Sequence, residues 1–275
     1  MKKIGILYIC TGDYVLFWND FYESFEKYFC KNSEIHYFIF SDKEIDFSEK
    51  ENIYFHKIQH QPWPLITLLR FHTFLSIKHE LQNMDYLYFF NSNMQCTKEI
   101  FEDEILPFNN KKLVFVQHPG YLSTKKYQIP YDRNKKSKAY VPYNIGGTYV
   151  IGAVEGGESE AFLSMCEDLK SNINEDLKNN VIARWHDESH LNHFINTNIS
   201  YRLLDSGFCY PVGFDVSFEK KIIGVSKEAK FDINKFRVAD YKRKTFWQKI
   251  FERLDRKFLP FIKFIFATIK SEKIK

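Results

Sequence analysis

Several absences narrow the reading of this 275-residue chain before any motif is considered. No C-x-x-C pair occurs, and the five cysteines (Cys10, Cys30, Cys96, Cys166, Cys209) are odd in number and widely spaced. That excludes a disulfide framework or a zinc knuckle, and reduced, mostly buried thiols are expected. No run of about 20 apolar residues is present, so no membrane-spanning helix is expected. Met1-Lys2-Lys3 leads straight into apolar residues 4–9, too short a stretch for a signal peptide, and a cytoplasmic protein is the expectation. Internal repeats are missing too. Positive charge is scarce in the body of the chain: residues 241–275 hold eleven Lys/Arg against three acids, which leaves −4 on the first 240 residues beneath a formal total of +4. An enzyme of nucleic acids more often carries its basic stripe across the body, so nucleic acid is not an expected partner.

What the chain does have is aromatic mass, 28 Phe and 17 Tyr, enough to bury a large core. Residues 4–9 form an apolar run of strand length that stops at Thr11-Gly12-Asp13. Residues 14–29 then place Phe17, Phe21, Phe25 and Tyr28 at helical intervals, and residues 35–40 are a second strand. Further strands are predicted over 53–58, 86–90, 113–116 and 222–227, with helices over 65–81 and 162–173. Residues 139–152 are predicted as a strand broken by glycines, and 201–218 as short strands and loop. Strands alternating with helices imply an α/β fold with a mostly parallel sheet, whose ligands bind beyond the carboxyl ends of the strands.

Chemistry concentrates in Trp185-His186-Asp187-Glu188-Ser189-His190-Leu191-Asn192. His186, His190 and His193 invite a zinc reading, but a zinc hydrolase needs Glu directly after the first His, and Asp187 stands there. One residue further on, Glu188 is turned roughly 100° round a helix. Histidines packing at a helix start, with Asp187 or Ser189 as amino-terminal caps, is the plainer alternative.

This stretch resembles the signature of glycosyltransferase family 6, the retaining α-1,3-galactosyl and N-acetylgalactosaminyl transferases that include the blood-group A and B enzymes. Collinear support comes from Tyr14-Val15, Asp85-Tyr86-Leu87, His118-Pro119-Gly120, Tyr131-Asp132-Arg133, Ala139-Tyr140-Val141-Pro142 and Gly146-Gly147. The resemblance implies a GT-A fold, a Rossmann-like, mostly parallel mixed sheet flanked by helices, over residues 1–240. It implies a nucleotide-sugar donor, with Ile9, Cys10, Thr11 and Tyr14 beside uracil and ribose, Arg70 on the donor, and His186 and Asp187 orienting donor hydroxyls. Glu188 is the implied catalytic carboxylate, acting as nucleophile or as stabiliser of a front-face transition state. His118 and Trp185 are implied to pack on a galactoside acceptor, fucosylated at O2.

One departure is important. Vertebrate members carry Asp-x-Asp where this chain has Asn91-Ser92-Asn93. Amides are poor sole ligands for a divalent ion but can donate to phosphate or sugar oxygens. The chain therefore is similar to a metal-independent bacterial branch, for which no metal or other cofactor is expected. Lys227, with Arg70 as partner, is then the expected counter-charge to the leaving UDP. In the triplet Ile145-Gly146-Gly147 the last glycine is expected to make room for an N-acetyl group, so UDP-GalNAc is preferred over UDP-Gal. A carbohydrate- or nucleotide-binding protein that lost turnover is the rival class, against which Glu188 argues. Finally, residues 241–275 space Phe246, Trp247, Ile250, Phe251, Leu254 and Phe258 among Lys249, Arg253, Arg256 and Lys257. This basic amphipathic tail suits an anionic membrane surface, with packing on the body or on a partner as alternatives.

Overall fold

A computed structural model of the chain describes residues 1–44, 50–197, 199–213, 217–232, 260, 263 and 264. The strands are β1 (Lys3–Ile9), β2 (Glu34–Ser41), β3 (Ile53–Lys57), β4 (Tyr86–Phe90), β5 (Met94–Cys96), β6 (Leu113–Gln117), β7 (Val150–Glu158), β8 (Tyr201–Leu204), β9 (Tyr210–Pro211) and β10 (Ile222–Gly224). The α-helices are α1 (Trp18–Tyr28), α2 (Leu65–Leu68), α3 (Arg70–Leu75), α4 (Lys78–Leu81), α5 (Glu102–Ile105), α6 (Ser159–Lys178) and α7 (His186–Phe194).

Seven strands make the main sheet in the order β3-β2-β1-β4-β7-β6-β8. Every neighbouring pair is parallel except the two that β7 makes with β4 and β6, so β7 alone runs against the rest. This is the mostly parallel mixed sheet that the sequence pattern predicts. Both faces are apolar. Phe21, Phe25 and Phe29 from the α1 region cover one face, and Phe71, Phe74 and Phe162 from α3 and α6 cover the other. The amphipathic spacing of each helix explains its docking. All five cysteines are buried and unpaired.

Several boundaries differ from the sequence reading: the helix over 14–29 starts at Trp18 after a 3-10 turn over Gly12–Phe17, that over 162–173 runs over Ser159–Lys178, and the strand over 222–227 stops at Gly224. The predicted helix over 65–81 is three short helices, with breaks at Leu69 and Ile77, whose backbones leave the helical region. The glycine-broken strand over 139–152 is mostly turn and loop, where Gly146 and Gly147 have φ of +94° and +151°. The strand itself begins at Val150 and runs on through Gly156-Gly157 to Glu158. Gly156 is required there because the Tyr88 ring of β4 lies against it; a Cβ would sit 2.2 Å from Tyr88 Cδ1.

A small second sheet, β5-β10-β9, returns residues 222–224 to the neighbourhood of β5. The tail over 241–275 lies outside the described residues except for Pro260, Lys263 and Phe264. Lys263 Nζ is 5.9 Å from the centre of the Tyr143 ring, and the Phe264 ring is 5.7 Å from that of Tyr127. Among the described residues no helix is long and apolar enough to cross a membrane.

The Gly156–Tyr88 contact yields a stability prediction. Tyr88 is fully buried and its hydroxyl donates to the Ile105 carbonyl at 2.7 Å, so it cannot swing away cheaply. Gly156→Ala is expected to lower the unfolding free energy by about 1–3 kcal/mol through overpacking. Urea denaturation checks it, and an unchanged midpoint would show that the β4–β7 seam can relax.

Candidate active site

Because β7 is reversed, its first residues emerge at the same edge of the sheet as the last residues of β1, β4 and β6. That edge holds a cleft of about 370 Å³. β1 delivers Ile9, Thr11 and Tyr14 to it, and β4 delivers Asn91 and Ser92. β6 delivers His118, β7 delivers Ile151, Gly152 and Ala153, and the start of α7 adds Trp185, His186, Asp187 and Glu188. Arg70 and Lys227 also line it. This is the position at which open α/β sheets bind ligands.

Helix α7 starts without a side-chain cap from Trp185; instead the Trp185 N–H donates to Ser189 Oγ at 2.8 Å and Ser189 N–H returns to the Trp185 carbonyl at 3.3 Å. Ser189, not Asp187, therefore closes the first turn, which frees both carboxylates. His186 has φ of +51°, a left-handed conformation uncommon for a residue with a Cβ. Its Nδ1 is buried without a hydrogen-bond partner, and its ring meets Trp63 edge-on at 5.0 Å. Strain of this kind is held where surrounding structure over-determines it.

Glu188 is held at both oxygens. Tyr149 Oη donates to Oε1 at 2.9 Å, and the Gly152 N–H donates to Oε2 at 2.8 Å. Burial pushes its carboxyl up to about 7, while those two donors pull in the opposite direction. Asp187 Oδ2 lies 3.2 Å from Arg70 Nη1, and burial raises its carboxyl despite that cation. Arg70 itself is 2% exposed and reaches Glu155 Oε1 with Nη2 at 2.8 Å. Burial also lowers His186, and it carries His118 down to about 4, so both imidazoles are neutral at pH 7.

The asparagine motif is fixed from below by Tyr8, whose hydroxyl donates to the Ser92 carbonyl at 3.0 Å. Asn93 turns away from the cleft: Nδ2 donates to the Val225 carbonyl at 2.6 Å, and the Val225 N–H returns to the Asn93 carbonyl at 2.9 Å. This two-way tie holds the segment that carries Lys227. Neutral amides, one of them committed to a carbonyl, do not make the charged oxygen set that a divalent cation requires. Among the described residues no group of three His, Cys, Asp or Glu side chains is arranged to hold a metal. Lys227 Nζ sits 5.2 Å from the centre of the Tyr14 ring, and burial lowers its ammonium; no carboxylate among the described residues pairs with it.

Most of the sequence-predicted site residues thus meet in one cleft: Ile9, Thr11, Tyr14, Arg70, Asn91, Ser92, His118, Trp185, His186, Asp187, Glu188 and Lys227. Cys10 does not, since its thiol is fully buried and burial drives it up to about 12. Asn93 and the triplet Ile145-Gly146-Gly147 also lie outside the lining. Gly146 is there for the Tyr131 ring, which a Cβ would strike at 2.5 Å, and a Cβ on Gly147 would meet only open space. The three histidines do not converge. His190 Nε2 is 3.6 Å from Asp176, and His193 Nδ1 is 2.8 Å from the Tyr140 carbonyl. Tyr149, Trp63 and Glu155 belong to the site or its support and were not predicted. Glu155 had a signal, a carboxylate within the strand-forming stretch Ala153-Val154-Glu155-Gly156-Gly157. Tyr149, in an aromatic-rich chain, had none.

The family model described as Glycosyltransferase family 6 matches residues 2–237. The chain is 35% identical over 226 residues to the O-antigen biosynthesis glycosyltransferase WbnI of Escherichia coli, covering 82% of this chain and 95% of that protein. It is 30% identical over 206 residues to human globoside alpha-1,3-N-acetylgalactosaminyltransferase 1, covering 72% of this chain and 58% of that protein. Against rat histo-blood group ABO system transferase 2 the figures are 24% over 200 residues, with 70% and 58% covered. The match thus spans nearly all of the bacterial relative and well under two thirds of the vertebrate ones. The chain belongs to glycosyltransferase family 6, and its sheet is that of a GT-A-like fold.

Tyr149→Phe deletes a bond that favours the ionised form of Glu188. The Glu188 carboxyl is therefore expected to titrate higher by roughly half to one pH unit, followed by carboxyl carbon-13 NMR. An unmoved or lower midpoint would mean that the Tyr149 hydroxyl does not hold the carboxylate.

Proposed function

We propose that this family 6 glycosyltransferase moves a sugar of the galactose series from a UDP-sugar to the 3-hydroxyl of a terminal, O2-fucosylated galactose, with retention of configuration and without a divalent metal. One observation carries the reading: the cleft pairs a buried, doubly held carboxylate, Glu188, with a half-buried ammonium, Lys227, that has no acidic partner among the described residues. A lysine desolvated without a counter-ion is poised for an anionic ligand.

The sheet order sets the layout. β1 and β7 flank β4, so the nucleoside end, beside Thr11 and Tyr14, and the sugar end, beside Asp187 and Glu188, are separated by Asn91. The diphosphate then lies between Asn91 and Lys227, and the acceptor packs against Trp185 and His118. As the bond from the anomeric carbon to UDP breaks, its electron pair stays with UDP, where Lys227 stabilises it. Ionised Glu188 either bonds to that carbon and is displaced by the acceptor oxygen, or stabilises the positive charge while the acceptor attacks from the leaving-group face. In both routes the acceptor proton passes to a UDP oxygen, so no second acid is needed.

We infer UDP-Gal as the preferred donor in place of the expected UDP-GalNAc, on the residues that line the cleft. Gly147, the ground for preferring UDP-GalNAc over UDP-Gal, is outside the cleft lining, whereas Gly152 and Ala153 are in it. The Ala153 methyl narrows the space for an N-acetyl group, which favours UDP-Gal. The relatives named for globoside, histo-blood group and O-antigen products support a glycan acceptor. The basic tail fits a protein held at the anionic inner face of a membrane, close to a lipid-linked acceptor.

Incubation with UDP-Gal and UDP-GalNAc against 2′-fucosyllactose and lactose tests the proposal. Transfer is expected in EDTA, with Ala153→Gly raising use of UDP-GalNAc relative to UDP-Gal. Glu188→Gln is expected to lose at least about 10³-fold in kcat with UDP affinity kept, and Lys227→Ala roughly 10²-fold. Activity that EDTA abolishes and Mn²⁺ restores would overturn metal independence. Full activity of Glu188→Gln would overturn the site.

A further inference from the structure

Glu155 is a charged side chain in an apolar layer. In the middle of β7 it stands in register with Phe89 of β4 and Phe115 of β6, and it is 1% exposed. The chemistry proposed at the cleft does not use it. Its carboxyl faces the buried Arg70 guanidinium, which lies 4.5 Å from the centre of the Phe89 ring and 4.9 Å from that of Phe71. Nη2 is 2.8 Å from Glu155 Oε1; Nη1 donates to the Gly152 carbonyl at 2.5 Å and is 3.2 Å from Asp187 Oδ2. Nη2 and Oε1 touch at 2.8 Å, off the preferred hydrogen-bond direction, a contact that a protonated carboxyl or an amide oxygen can keep. One guanidinium is therefore divided between a buried carboxyl that never sees the cleft and an aspartate that lines it.

We propose that Glu155 is a positioning residue for the transfer step: it holds one arm of Arg70, so that the other arm fixes Asp187 and the Gly152 carbonyl that borders Glu188. The role rests on the transfer chemistry proposed above. Without Glu155, both arms of the guanidinium are free to close on Asp187, because bidentate pairing with a carboxylate is the preferred geometry of arginine. Asp187 would then be drawn from the cleft toward the sheet. Gly152 would follow, since its carbonyl accepts from Arg70 while its N–H holds Glu188 Oε2.

Charge makes the division sensitive to protons. The groups that face Glu155 are Arg70 of α3, Asp187 and Glu188 of α7, and the Cys166 thiol of α6. Burial outweighs Arg70 and pushes the Glu155 carboxyl up to about 8. At neutral pH the proton stays on Glu155, and Asp187 has the full charge of Arg70. Above about 8 Glu155 ionises and competes for it. Because the proton is held more tightly folded than unfolded, Glu155 stabilises the fold at low pH. That contribution is lost as pH rises from the ordinary carboxylate range through 8.

The test compares wild type, Glu155→Gln and Glu155→Leu in full-length protein, reading kcat and donor KM from pH 5.5 to 9.5 and the thermal midpoint over the same range. Glu155→Gln keeps the shape and the bound-proton state, so it is expected to retain kcat within about threefold at pH 7. It should also displace the alkaline fall upward by about one pH unit. Glu155→Leu, which removes the hold on Arg70, is expected to lose about tenfold or more in kcat, to raise donor KM and, because the buried guanidinium loses a partner, to lower the thermal midpoint. Unchanged kinetics in Glu155→Leu, or a Glu155→Gln profile that superimposes on wild type, would overturn the proposal. If the leucine variant does not fold, the glutamine profile decides. Failure of the wild type to transfer from any UDP-sugar would strike the functional reading alone. The midpoint difference between Glu155→Gln and wild type would still report the Glu155 proton: a gap that widens as pH rises supports its placement, and a constant gap refutes it.

Discussion

A buried guanidinium is the constraint from which the rest of the centre follows. Arginine cannot shed its proton inside a protein, so a fold that buries Arg70 must bring anions and carbonyl oxygens to it. Two elements supply them to the cation that α3 carries: β7 gives Glu155 and the Gly152 carbonyl, and α7 gives Asp187. Once those partners are in place, the peptide on the other side of Gly152 has little freedom, and its N–H points at Glu188. The orientation of the Glu188 carboxylate is thus inherited from a charge that the solvent does not reach.

The same constraint explains why the carboxylates are reluctant acids. Asp187, Glu188 and Glu155 share one cation in a desolvated region, and burial raises all three. Out of water the charged form of each is penalised, and the single guanidinium offsets only part of that penalty. Lys227 does not relieve them. It reaches the cleft from the β1 side, over Tyr14, and its ammonium is itself penalised by burial. The cleft therefore carries two unmet demands at separate places, negative at Asp187 and Glu188 and positive at Lys227. On the proposed reading a nucleotide sugar meets both: its diphosphate, in the middle of the molecule, lies beside Lys227, and the electron-poor anomeric carbon bonded to that diphosphate faces Glu188.

How much of this could be seen in the sequence depends on the scale of the signal. The strand-forming stretch over 86–90 and the helix over 14–29 are local patterns, and local patterns survive into the fold. The cluster from Trp185 to Asn192 was legible as chemistry because it crowds titratable residues into one turn. Glycines misled where the reading was of space. Gly147 looked like room for a ligand but borders open surface, Gly146 serves the Tyr131 ring, and Gly156, to which no role was assigned, is where the reversed strand passes Tyr88. Space is a property of what lies opposite in three dimensions, and for Gly156 the residue that decides it is 68 positions away. For the same reason the reversal of β7, which sends Ile151-Gly152-Ala153 into the cleft in place of Ile145-Gly146-Gly147, had no sequence signature. The hold of Tyr149 on Glu188 spans 39 positions and was equally silent.

On the proposed metal-independent reading, Asn93 shows how a position that holds aspartate in the vertebrate members can be given different work. An aspartate there would carry charge to a metal; the amide instead gives its Nδ2 to the Val225 carbonyl, two residues before Lys227. That bond and its return from the Val225 N–H make a short, sheet-like tie between the end of β4 and the segment that follows β10. A carboxylate could accept from Val225 but could not donate to its carbonyl, so the exchange of Asp for Asn creates the tie as it removes the charge. On the proposed reading these are two halves of one change: the position that no longer recruits a cation from solution now holds in place the lysine that supplies one.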